Sequence, residues 1–108
     1  MIYLASPYSS HDPDTRQWRY EQAVSNAATL IHEYREAVFS PIAHSHPIAL
    51  HGVAGTWETW AEMDLALIAI CRELVVLELP GWKQSRGIAA EVAEAERLGI
   101  PVTYRSWP

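Results

Sequence analysis

The chain reads as a single α/β domain, an open parallel sheet of about four to five strands with helices on both faces. Short apolar runs of strand length alternate with stretches of helical period from one end to the other, in the order β-α-β-α-β-α-β. The run from Glu73 to Leu79 is continuously apolar at its centre, as expected of a strand buried on both faces. No repeat, linker or low-complexity segment interrupts the 108 residues, a length that builds one core and leaves little room for a second domain.

Met1 to Ala5 is a buried strand, followed by the loop Ser6-Pro7-Tyr8-Ser9-Ser10. Asp12 followed by Pro13 supplies an N-cap and a first-turn proline for a helix running to about Tyr34, with Ala23, Ala27, Leu30, Ile31 and Tyr34 on its apolar stripe. Ala37 to Ser40 is a second strand ended by Pro41. The His-rich segment Ala43 to Gly55 reads as a loop with at most a short helix. Trp57 to Cys71 has helical period and leads into the strand Glu73 to Leu79. Ser85 caps a further helix that stops at Gly99, and Pro101 to Tyr104 makes the last strand. Ligands of such sheets bind beyond the carboxyl ends of the strands, here the loops Ser6 to Ser10, Pro41 to His46 and Pro80 to Ser85.

A formal net charge of −5 without a Lys/Arg run argues against a nucleic-acid polymer as partner, while a local pocket for one phosphate remains compatible. Cys71 is the only cysteine, so no internal disulfide forms, and a small buried hydrophobe is its expected role. No basic leader precedes Ile2 and no apolar segment approaches the roughly 20 residues of a membrane span, so the expectation is a cytoplasmic protein without membrane contact. Five tryptophans are more than a chain this short buries easily, which predicts that some line a pocket or a subunit interface.

Three groups of residues carry chemistry. With Ser85 as N-cap, the backbone N–H groups of Arg86, Gly87 and Ile88 lack helical partners and Gly87 permits close approach, an arrangement suited to an anion. On that helix Glu91 lies about 60° from the centre of the stripe Ile88, Val92, Ala95 and Gly99, whereas Glu94 and Glu96 point away. Asp64 falls among Trp57, Trp60, Leu67, Ile68 and Cys71, the most apolar arc of its helix. An ionised carboxylate there needs a partner: Arg16, Arg19 or Arg72 in a structural role, or a ligand. Two inward carboxylates suit acid, base or nucleophile roles at a sugar carbon, where positive charge develops. His44, His46 and His51 form the third group. On an extended segment the H-x-H spacing of the first two places both side chains on one face, for a metal or a substrate, but no further ligand completes a metal set nearby. Ser6 and Tyr8 offer hydroxyls after the first strand, and Trp82 offers a ring for stacking or for filling a gap.

Taken together, Tyr3-Leu4-Ala5-Ser6-Pro7-Tyr8, Phe39-Ser40-Pro41-Ile42, Asp64 ahead of the strand Leu74 to Leu79, and Ser85-x-Gly87-x-x-x-Glu91 resemble the nucleoside 2-deoxyribosyltransferase superfamily over nearly the whole chain. The likeness is nearest to its small members and extends to deoxynucleoside 5′-monophosphate N-hydrolases and cytidylate N-glycosidases. It implies a flavodoxin-like sheet, a homodimer or homotetramer, and cleavage of the bond between a sugar C1′ and a base nitrogen. It further implies Glu91 as nucleophile, Asp64 as the acid that handles the sugar or a proton of the departing base, Tyr8 near the nucleophile, and Ser85 and Gly87 at the sugar or its 5′-phosphate. Many relatives carry a glycine-rich loop where this chain has Ser6-Pro7-Tyr8-Ser9, and the His-Ser-His segment lies outside the pattern.

The expected function is N-glycosidic bond cleavage on a small nucleoside or nucleotide, without metal or redox cofactor. Glu91, Asp64 and Tyr8 are the expected catalytic residues, and Ser6, Pro41, His44, His46, Trp82, Ser85 and Gly87 the expected substrate contacts. Water as acceptor makes the enzyme a hydrolase, a second base a transferase. Two alternatives are a non-catalytic nucleotide-binding module that keeps the anion site, and a metal-dependent hydrolase built on His44, His46 and Asp64.

Overall fold

A computed structural model describes residues 1–108. Its elements are β1 (Ile2–Ala5), α1 (Pro13–Tyr34), β2 (Val38–Phe39), α2 (Pro41–Ala49), α3 (Trp57–Ile68), β3 (Glu73–Glu78), a 3-10 turn (Trp82–Gln84), α4 (Arg86–Arg97) and β4 (Val102–Ser106). The four strands are all parallel and lie in the order β2-β1-β3-β4. Tyr3 pairs with Phe39 on one side and Leu74 on the other, and Val76 pairs with Tyr104. The sheet is thus an open α/β sheet of flavodoxin-like order. Its connections reverse direction between β1 and β3, and the crevice at their carboxyl ends is where such folds take ligands.

Alternation along the strands builds two cores. Ile2, Leu4, Val75, Leu77 and Leu79 face α1 through Leu30, with Trp18 and Ala27 packed behind. Tyr3, Ala5, Leu74 and Val76 face α3 and α4 through Ile68, Cys71, Ile88 and Ala95. Cys71 is buried as expected, its Sγ–H directed to the Leu67 carbonyl.

Helix ends follow their capping residues. Asp12 accepts from the Asp14 N–H at 3.0 Å with Pro13 next to it, and the Ser85 hydroxyl accepts from the Ile88 N–H at 3.2 Å. The segment after β2 holds the short helix the sequence allowed, but it begins at Pro41 and takes in the stretch Pro41 to His46 expected as loop. Ser40 caps α2 by accepting from the Ala43 N–H, Pro41 occupies the first helical position, and Ile42, Ser45 and His46 form its buried face. Ser-Pro here is the same start signal as Asp12-Pro13, and Pro47 within α2 masked it. Helix α3 ends at Ile68, three residues before Cys71, and β4 continues two residues past Tyr104 to Ser106.

Candidate active site

Glu91 and Asp64 are each 4% exposed and approach one another from α4 and α3 at the core formed against β1. The Tyr3 hydroxyl, projecting from β1 into the same core, donates a hydrogen bond to Glu91 Oε2. Burial drives the Glu91 carboxyl up to about 8; the bond from Tyr3 opposes that rise and the neighbouring Asp64 charge adds to it. Burial also lifts Asp64, to about 6. Tyr3 is pushed up in turn by burial and by both carboxylates, which keeps it a proton donor.

Asp64 Oδ1 has no hydrogen-bond partner, and neither have Ser6 Oγ at the end of β1 and Trp60 Nε1 one turn before Asp64. The arginines expected to neutralise Asp64 are engaged elsewhere. Arg72 binds Glu36 and Glu73, Arg16 donates to the Ser10 carbonyl at 2.5 Å, and Arg19 donates to the carbonyls of Ser9 at 2.9 Å and Pro80 at 3.3 Å. A buried carboxylate without a counter-ion is costly to keep, and such strain gathers at functional sites.

The approach to Glu91 is set by α4. A Cβ placed on Gly87 would lie 4.0 Å from Glu91 Oε1, 3.8 Å from Ser85 Oγ and 3.5 Å from the Trp57 ring, so the absent side chain leaves this flank of the carboxylate open. Ser85 spends its hydroxyl on the Ile88 N–H, leaving those of Arg86 and Gly87 at the helix start. Arg19 ties the loop after β1 to the loop after β3, the two banks of the crevice; its Nη2 lies 2.6 Å from where a Cβ on Gly81 would stand. Arg72, Arg86, Arg97 and Arg105 all pair with glutamates, whereas Arg16 and Arg19, at the crevice, donate to backbone carbonyls and pair with no carboxylate, Arg16 standing also beside the Tyr8 hydroxyl.

The structure redistributes the other expected site residues. The Tyr8 hydroxyl bonds His46 Nδ1 at 2.6 Å, and it is Tyr3 that holds Glu91. His44 is exposed on α2, its ring against Phe39 and Trp60, while His46 is buried. Two residues apart on a helix they face roughly 200° apart. The extended H-x-H arrangement is therefore not formed, and no group of three His, Cys, Asp or Glu side chains converges as metal ligands. Pro41 is buried as the first residue of α2. Trp82 packs on Tyr104 and lines two shallow grooves, one of about 340 Å³ between the loop after β3 and Trp107 and one of about 170 Å³ between α4 and Tyr104; neither includes Glu91 or Asp64. The larger groove thus borders the crevice, and the unpaired carboxylate lies at Glu91 and Asp64 beneath it. All five tryptophans are half-buried.

Tyr3 and Trp57 are the site residues that sequence reasoning missed. A tyrosine inside a buried strand must find an acceptor, and Glu91 is the buried acceptor on the facing helix; that was the available signal for Tyr3. Trp57 carried none, since only the close packing of α3 on α4 brings it to Gly87.

Fold and site together define an open-sheet α/β protein with a buried two-carboxylate centre beside its topological switch point. The chain belongs to a family described as a domain of unknown function, DUF1937, which it matches over residues 1–106. No curated protein matches it.

Proposed function

We propose that the protein cleaves the N-glycosidic bond of a small nucleoside or nucleoside 5′-monophosphate, with Glu91 as nucleophile and Asp64 as proton donor. The observation that carries this reading is the buried pair itself: Glu91 held by Tyr3, beside Asp64 with an oxygen left unpaired. Between about pH 6 and pH 8 the two carboxyls hold one proton between them; burial favours it on Glu91 in the free protein, and the reactive form is the one in which it sits on Asp64 and Glu91 is the anion. Glu91 Oε1 attacks C1′ while the C1′–N bond breaks; the bonding pair leaves with the base nitrogen, which takes the Asp64 proton. Water, activated by Asp64, then attacks C1′ of the glycosyl ester and releases Glu91; a second base in place of water makes the reaction a transfer.

The energetic logic is electrostatic. Burial makes the Glu91 anion unstable in the free protein, and the positive charge that develops on the sugar ring relieves that instability most in the transition state. The resemblance of Ser85-x-Gly87-x-x-x-Glu91 and Asp64 to the nucleoside 2-deoxyribosyltransferase superfamily supports the same assignment. Arg16, Arg19 and the start of α4 favour a substrate carrying a phosphate.

The test is chromatographic measurement of free base from nucleosides and 5′-monophosphates in ribo and deoxy forms, with and without a second base. We expect release from one class by the parent protein, none by Glu91→Ala, and a covalent glycosyl adduct on the peptide containing Glu91. An active Glu91→Ala protein overturns the mechanism. Ligand binding without release from any substrate assigns the protein instead to non-catalytic nucleotide binding.

A further inference from the structure

A second polar chain runs through the first loop, α1 and α2, apart from the carboxylate pair. The Tyr8 hydroxyl lies 2.6 Å from His46 Nδ1, His46 Nε2 lies 2.8 Å from Gln17 Oε1, and Gln17 Nε2 donates to Glu21 at 3.1 Å. His46 is 4% exposed, with Tyr20 stacked on its ring at 4.4 Å and Tyr8 meeting it edge-on. Both ring nitrogens are thus occupied, so His46 is not itself a ligand contact.

The polarity of the chain is determined from its outer end. The exposed Glu21 carboxylate only accepts, so it takes the Gln17 amide N–H and turns the Gln17 oxygen towards His46. That oxygen also only accepts, so Nε2 carries the imidazole proton. A neutral imidazole protonated on Nε2 has a bare Nδ1, and the Tyr8 hydroxyl must donate to it. Burial and the nearby Arg16 charge both hold His46 below its ordinary range, in keeping with a neutral ring.

We infer that His46 is a positioning residue that locks Tyr8 as a hydrogen-bond acceptor, so that Tyr8 selects ligands presenting a donor, a sugar hydroxyl or an amino group, to the loop after β1. With its proton committed to His46, the half-buried Tyr8 oxygen offers only lone pairs, one of them towards the neighbouring Arg16 and the other free for a ligand donor. The inference rests on the reading of the crevice as a nucleoside or nucleotide site. The residues that carry it, His46 and Gln17, lie outside the carboxylate centre.

Two measurements test it. Two-bond ¹H–¹⁵N correlation spectra at pH 7, with the His46 signals assigned by their loss in His46→Phe, report the tautomer directly and require no substrate. The expected signature is neutral Nε2–H; an Nδ1–H tautomer or an imidazolium overturns the inference. The second is equilibrium binding to Glu91→Gln of 5′-monophosphates lacking one donor at a time: the 2′-hydroxyl, the 3′-hydroxyl or the base amino group. One deletion is expected to weaken binding by about tenfold. That ratio falls to near one in the Tyr8→Phe and His46→Phe backgrounds and recovers in part with His46→Gln, which restores an acceptor. If Tyr8→Phe leaves every ratio unchanged while the parent releases base, the inference fails and the function stands. Donor selectivity that vanishes with Tyr8→Phe in a protein releasing no base supports the inference and removes the catalytic reading. Absence of binding to any member overturns the role of Tyr8 as well.

Discussion

In the proposed mechanism Glu91 concentrates the chemistry in one side chain. That mechanism predicts a bell-shaped kcat/KM, with limbs near about 6 and about 8 set by Asp64 and Glu91 and a maximum near pH 7. Initial rates at low substrate across pH 5 to 9 check this. Tyr3→Phe removes the donor that favours the Glu91 anion, so the alkaline limb is expected to move upward and kcat/KM at pH 7 to fall by tenfold or more. An unchanged profile in Tyr3→Phe would separate Tyr3 from the reacting group. Glu91 was legible in the sequence because two neighbouring glutamates on α4 point outward and it does not. Tyr3 was not, because one tyrosine in an apolar strand looks like core until the facing helix supplies its acceptor.

At the scale of elements, the start of α4 is where stability and the proposed function meet. Ser85→Ala deletes the cap on the Ile88 N–H and is expected to destabilise by about 1 kcal/mol in denaturant titrations. Gly87→Ala adds a methyl whose nearest protein neighbour stands at 3.5 Å, ordinary contact distance, while it improves helix propensity by up to about 1 kcal/mol. The expected result is a protein at least as stable as the parent with impaired turnover, since the methyl fills the flank from which Glu91 is approached. Gly81→Ala behaves oppositely: φ of +92° and the Arg19 guanidinium 2.6 Å from the new methyl both oppose it, for a loss of roughly 1–3 kcal/mol. Helix α2 shows where element reading fails. Ser40-Pro41 is a sound helix start, but a second proline and three histidines within eleven residues imitate a loop, and only the burial of Ile42, Ser45 and His46 against the domain resolves the ambiguity.

For the whole molecule, the carboxylate pair makes the folded state lose stability as pH rises. Glu91 and Asp64 have native values above their ordinary 4.5 and 3.8, so between those limits the folded state binds more protons than the unfolded one. Their favourable contribution is complete below about pH 4 and is lost as pH climbs through 6 and then 8. For Glu91 the loss is on the order of 5 kcal/mol. Thermal unfolding from pH 5 to 9 should therefore show a declining Tm, and Glu91→Gln should flatten the decline and exceed the parent at pH 9. The surface pairs act at the other end: the arginines beside Glu33, Glu36 and Glu94 hold those carboxyls below their usual range, and that support disappears only in acid. A parent more stable than Glu91→Gln at pH 9 would refute the unpaired-carboxylate description of the site.

Local rules were enough to determine the succession of strands and helices except at α2, the caps at Asp12 and Ser85, the inward direction of Glu91 and Asp64, and a parallel sheet with a crevice at the strand ends. Those features depend on periods of two and about 3.6 residues and on capping chemistry, which act over a few neighbours along the chain. The tertiary structure alone decided that Tyr3 and not Tyr8 holds Glu91, that Tyr8 answers to His46 and Gln17, that Trp82 stands on the far flank of α4, and that Arg19 bridges the two loops. Each of these joins residues distant in the chain, and their distances follow from strand order and helix packing, which no local pattern encodes.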